Sequence, residues 1–193
     1  MLPLNLSKAE TGWLSKQIRT AAMELRWQGG VDCDVFAIAL GEKTTSNNPY
    51  PKMVKDGEKY GLCFFNELVL FNGGIAHSGD ARNGDGKAPE DADETVKFDF
   101  SKIPSNVKEI NVYVMIYTKE GEIPKKFGTL SQLDVSILSD SHPSFKINMA
   151  DNYGDSSIIK ALTLVYDDVK GWAVTPVQEP VEGTFEPLVY KFI

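Results

Sequence analysis

The sequence predicts an all-β fold, a β-sandwich of two mainly antiparallel sheets with long loops and little helix. Three observations predict it. Short segments such as Val96-Lys97-Phe98-Asp99-Phe100 alternate apolar and polar residues, the period of a half-buried strand. Turn signals such as Gly29-Gly30 and Asn72-Gly73-Gly74 separate these segments at short intervals. No long stretch carries an unopposed helical period, and strands so spaced point to a sandwich. With 193 residues and 42% hydrophobic content, the chain has apolar material for one core. We read residues 1–193 as a single domain, with an N-terminal arm at 1–19 and a C-terminal extension at 176–193.

In chain order, Leu2, Leu4 and Leu6 alternate in a short strand or arm. Residues 13–27 fit two periods. Leu14, Gln17, Ile18, Ala21, Ala22 and Leu25 make a helical face, whereas Met23, Leu25 and Trp27 alternate with Ala22, Glu24 and Arg26 as in a strand. Residues 31–40 are apolar on both faces beyond Asp34, as in a central strand covered on both sides. Residues 41–59 form a polar loop long enough to be functional or mobile. Residues 60–65 and 68–71 read as strands interrupted at Asn66-Glu67. Residues 95–100 alternate cleanly. In 110–117, Ile110, Val112, Val114 and Ile116 share one face, with Tyr113, Met115 and Tyr117 on the other. Beyond the 119–126 loop come strands at 133–138 and 145–149, then a hairpin of 158–166 and 172–175. Residues 176–187 look extended, and Leu188, Tyr190 and Phe192 alternate as a final strand or docked arm.

A formal net charge of −7 and a pI near 4.9 exclude the cationic face that nucleic acid requires. They also exclude unaided attraction to anionic lipid. Without a basic, apolar leader or a run of ~20 apolar residues, the chain is expected to be a cytoplasmic protein that does not insert in membranes. Cys33 and Cys63 make no disulfide framework and read as small buried hydrophobes. His77 and His142 cannot build a multi-histidine zinc site, and His142 precedes Pro143 in a turn. Trp13, Trp27 and Trp172 read as core or rim anchors. There is no GxSxG, HExxH or phosphate-binding GK[ST] loop.

The chemistry is concentrated in residues 77–94, HSGDARNGDGKAPEDADE. Six carboxylates, Asp80, Asp85, Glu90, Asp91, Asp93 and Glu94, stand there against Arg82 and Lys87. Carboxylates fixed so closely repel one another, and Ca²⁺, which takes six to eight oxygens in flexible geometry, removes that repulsion. The glycines let carbonyls turn inward. A solvated acidic loop has the same composition. What weighs toward a cation is Asp32-Cys33-Asp34, which sets two carboxylates on one face of a buried strand end, a costly placement without a partner.

The succession Trp27, Val31-Asp32-Cys33-Asp34, Phe65-Asn66, His77-Ser78-Gly79-Asp80, Gly84-Asp85-Gly86 and Asp91-Ala92-Asp93-Glu94 resembles the TerD family of tellurite-resistance and chemical-stress proteins. The resemblance runs over roughly residues 20–177. In that family a D-L-D-like strand precedes a segment resembling H-T-G-D-N-x-T-G-x-G-x-G-D-D-E. The resemblance implies a β-sandwich that binds Ca²⁺, generally two ions, through these acidic segments, and it implies that residues 13–27 end in a strand. Here Ala81 and Asn83 stand where the family usually has Asn and Thr, and Lys87-Ala88-Pro89-Glu90 is an apparent insertion. The site using Asp32, Asp34 and Glu94 is therefore expected to be better kept than one centred on Asp80 and Asp85.

The expected function is that of a calcium-binding, non-enzymatic binding or scaffold protein of the stress response. Its expected partners are calcium and other stress-response proteins, membrane-bound ones included. Asp32 and Asp34 would supply oxygens from the strand end, and Asp80, Asp85, Asp91, Asp93 and Glu94 would close over the ions from the loop. Asn66 would add an amide oxygen, and Gly79 or Gly84 a backbone carbonyl. Imidazole suits softer metals, so His77 is expected to donate a hydrogen bond behind the ligands. The alternatives are a calcium-dependent module for a nucleotide, phosphate or glycan (some TerD relatives are described as cyclic-nucleotide binders) and a metal-dependent hydrolase.

Overall fold

The computed structural model describes residues 4–5, 9–14, 18–43, 49–81, 92–119, 121–139, 145–148 and 153–193. The described strands are β1 (Leu4–Asn5), β2 (Gly12–Trp13), β3 (Thr20–Gln28), β4 (Cys33–Leu40), β5 (Leu62–Cys63), β6 (Val69–Leu70) and β7 (Ile75–His77). They continue as β8 (Glu94–Asp99), β9 (Glu109–Ile116), β10 (Gln132–Ser139), β11 (Phe145–Asn148), β12 (Ile158–Asp167) and β13 (Gly171–Pro180), followed by one helix, α1 (Phe185–Tyr190). One sheet runs β1-β11-β10-β3-β8-β7-β6 and the other β2-β13-β12-β9-β4-β5. All pairings are antiparallel except β1 with β11. The expected two-sheet all-β fold is present.

The two sheets bury their strands differently. β3 alternates, with Ala21, Met23, Leu25 and Trp27 turned into the core and the residues between them half-exposed. That period settles residues 20–28 as strand, held by an eight-pair ladder to β10. β4 is buried at all eight positions. Its inward row, Cys33, Val35, Ala37 and Ala39, joins the core between the sheets, while Phe36, Ile38 and Leu40 join a second apolar cluster on the outer face. β9 does the same, turning Tyr113 and Met115 outward. Covering both faces is what makes these strands continuously apolar.

The C-terminal segment supplies the outer cover. Here the structure corrects the sequence: the final strand expected from Leu188, Tyr190 and Phe192 is a short helix. Phe185, Leu188, Val189 and Phe192 lie at helical spacing against the outer cluster, while Tyr190 is exposed. The expected extended run instead lengthens β13 through Pro176 to Pro180. β2 pairs with β13 only at Ala173 and Val174, so these prolines fall where a missing N–H removes no ladder bond on that side. The strands read over 60–65 and 68–71 shrink to β5 and β6, and the short β7 carried too few residues to show a period. Gly61 packs so tightly that a Cβ would strike the carbonyls of Val54 and Ala39.

Candidate metal centre

The site forms where β4 begins. Gly29 and Gly30, at φ +141° and +62°, turn the chain out of β3, and Trp27 Nε1–H clamps the turn by donating to Val31 O at 2.8 Å. Asp32 and Asp34 follow, separated by the strand repeat of two. Asp34 lies in the same outward row as Phe36, Ile38 and Leu40, so the outer face of β4 starts acidic and continues apolar. The end of β9 lies alongside, and Tyr117 N–H donates to Asp32 O at 2.8 Å.

The third carboxylate arrives from the loop after β7. Gly79, at φ +99°, redirects the chain, and its N–H donates to His77 Nδ1 at 2.9 Å. That bond places the ring proton on Nε2, which lies 3.0 Å from Val35 O and donates to it. Ala81 N–H donates to Glu94 Oε1 at 3.1 Å, while Glu94 Oε2 accepts from Val35 N–H at 2.9 Å. Asp80 is thus held between two residues tied back to buried groups. One oxygen each of Asp32, Asp34 and Asp80 then lies within 4.8 Å of the others.

These carboxylates line a pocket of about 530 Å³, together with Phe65, Asn66, Tyr117, Lys119, Glu122 and Lys125. Asp34 is only 3% exposed, and no hydrogen bond reaches its carboxylate among the described residues. Burial, then Glu94, Asp32 and Asp80 in that order, push its carboxyl up to about 8. Without a cation the cluster therefore retains a proton at neutral pH.

The structure divides the expected ligands differently from the sequence reading. Asp80 joins Asp32 and Asp34, whereas Glu94, grouped with them from the sequence, is fully buried and spends both oxygens on backbone amides. Asp93 accepts from Trp27 N–H at 3.0 Å and closes the β3–β8 junction. Asn66 lines the pocket from the turn after β5, and Gly79 acts through its conformation and its N–H. Gly84, Asp85 and Asp91 lie outside the described residues. His77 donates as expected, but to a backbone carbonyl, with Glu94 Oε2 3.5 Å away. The thiols are buried, which pushes Cys63 up to about 12 and Cys33 higher still. Sequence reasoning missed Tyr117, Lys119, Glu122 and Lys125. Only the antiparallel register pairing Cys33 with Ile116 brings them beside Asp32, and no local motif signals that register.

A two-sheet sandwich with carboxylates gathered at one end defines a class of domain, and the family follows from comparison. The model of the TerD domain matches residues 2–192, and the chain belongs to the TerD family. It is 26% identical over 171 residues to stress response protein SCP2 of Bacillus subtilis, covering 84% of this chain and 75% of that one. Identity to chemical-damaging agent resistance protein B of Clostridium acetobutylicum is 28% over 133 residues, 68% of this chain and 92% of that one. Two further Bacillus subtilis relatives are longer, and the match spans 65% of each. The fold superposes on a homologue of telluride resistance protein (TerD) from Streptomyces coelicolor A3(2) with a TM-score of 0.67 at 14% identity, over 91% of this chain and 96% of that one. Among the described residues, no helix is long and apolar enough to cross a membrane.

Proposed function

We propose that this TerD-family protein is a non-enzymatic, calcium-binding component of a stress response, acting as a binding or scaffold module. The observation that carries the reading is Asp34. A carboxylate this buried, facing two others and reached by no amide among the described residues, is costly until a cation shares it. The donors are all hard oxygens, which suit Ca²⁺ rather than a softer metal. Asp32, Asp34 and Asp80 would hold the ion, with the Asn66 amide within the same pocket. Once bound, the ion neutralises the cluster and ties the start of β4 to the loop after β7. The second ion implied by the family resemblance would draw on Asp85 and Asp91, which lie outside the described residues.

Both ring nitrogens of His77 are committed to backbone partners, so this imidazole is not available as a general base. Lys119 and Lys125, which line the same pocket as the carboxylates, favour a second reading in which the ion and the lysines together hold a small anion. Phosphate binding that disappears on chelation identifies that case. For the first reading, saturating Ca²⁺ raises the melting temperature by roughly 5–10 °C, the shift expected when ligand exceeds its dissociation constant about a hundredfold. A melt indifferent to millimolar Ca²⁺ refutes it.

A further inference from the structure

The outer face of the second sheet carries two continuous rows of side chains. On β4 the row runs Asp34, Phe36, Ile38, Leu40, and on β9 and beyond it runs Tyr113, Met115, Tyr117. The apolar part of each row lies under the C-terminal segment, and the other end opens into the acidic pocket. The turn after β5 joins the two regions. Phe64 and Glu67 exchange backbone hydrogen bonds of 3.0 Å, closing the turn around Phe65 and Asn66. Phe64 faces the tail, with its ring centroid 5.7 Å from that of Phe185. Phe65 stands edge-on to Phe64 at 5.2 Å and to Tyr117 at 6.4 Å, and it lines the pocket with Asn66.

Among the described residues, the tail's backbone bonds to the body of the domain are Val181 N–H to Ile158 O and Met53 N–H to Phe192 O, and Leu188, Val189 and Phe192 are buried against it. Between these bonds Phe185 is set edge-on against Phe36, at 5.0 Å. Gly183, at φ +97°, provides the bend from β13 into the helix.

We propose that the C-terminal helix braces the acidic pocket. By docking Phe185 against Phe64 it fixes the turn from which Phe65 and Asn66 form the pocket wall. Phe185 and Phe64 are then positioning residues that touch no ion. Because such coupling is reciprocal, an ion in the pocket also tightens the tail. This last consequence rests on the calcium reading, whereas the fixing of the turn does not.

The test compares Phe185→Ala with Phe185→Leu, which retains an apolar contact, and with Val135→Ala, a core truncation in the other sheet. Hydrogen exchange in chelator reads the amides of Phe64 and Glu67. They exchange faster in Phe185→Ala than in Val135→Ala, and Phe185→Leu restores most of the protection. Calorimetry with Ca²⁺ alone gives an affinity lowered about tenfold in Phe185→Ala, within the range of coupled sites, and unchanged in Val135→Ala. Equal exchange of the two amides in Phe185→Ala and Val135→Ala overturns the brace. A wild type that gives no heat with Ca²⁺ sinks the calcium reading by itself, and the amide comparison still decides whether the tail sets the turn.

Discussion

Asp34 and Glu94 are both buried carboxylates beside the first residues of β4, yet their surroundings are opposite. Glu94 receives the N–H groups of Val35 and Ala81, so its charge is satisfied by the fold. Asp34 receives no hydrogen bond among the described residues and shares its oxygens' neighbourhood with Asp32 and Asp80. A buried acid surrounded by amide donors holds a structure together. One surrounded by other acids needs a proton or a cation. The same short stretch of chain thus contains a structural carboxylate and a candidate ligand, which composition cannot tell apart.

The largest expected effect breaks the structural side of this contrast. Glu94→Ala orphans the Val35 N–H and leaves a cavity, costing about 3 kcal/mol, or roughly 10 °C in a thermal melt of a chain this size. Asp34→Asn acts in the opposite sense. In chelator it melts at or above the wild-type temperature, because the amide removes the cost of holding in the folded state a proton that the unfolded chain releases, and it loses the rise of several degrees that Ca²⁺ gives the wild type.

Proton linkage sharpens the comparison further. The folded Asp34 carboxyl sits near 8 against an ordinary value of 3.8. Below the lower value it is protonated whether folded or unfolded and costs nothing. As pH rises, the unfolded chain releases its proton first, so folding is progressively disfavoured until pH passes the higher value. Chelated wild type should therefore lose stability between about pH 4 and 8, and Asp34→Asn should flatten that slope. The smallest effect concerns the thiols. Burial keeps Cys33 and Cys63 protonated, so a thiol reagent should label neither in the native protein and both after denaturation.

Much of this was legible in the sequence, and the reason differs by element. The alternation of β8 shows directly in its residues, that of β3 competed with a helical face over residues 13–27, and the both-face burial of β4 and β9 shows in their continuous apolar runs. Asp32, Asp34 and Asp80 could be named as ligand candidates because a paired-acid strand and an acidic glycine loop are local features. The role of Glu94 could not be read, because it depends on amides at positions 35 and 81 that only the packing of β8 against β4 brings near. The tail misled because Leu188, Tyr190 and Phe192 alternate while Phe185, Leu188, Val189 and Phe192 keep a helical period, and only an apolar sheet face waiting to be covered decides between them.

Calorimetric titration of Ca²⁺ into the wild type and Asp34→Asn, side by side at pH 7.5, tests the central claim most directly. Saturable heat in the wild type that is lost in the variant is the predicted result. No heat in either protein, or the same heat in both, would contradict the assignment of the Asp32–Asp34–Asp80 cluster as the calcium site.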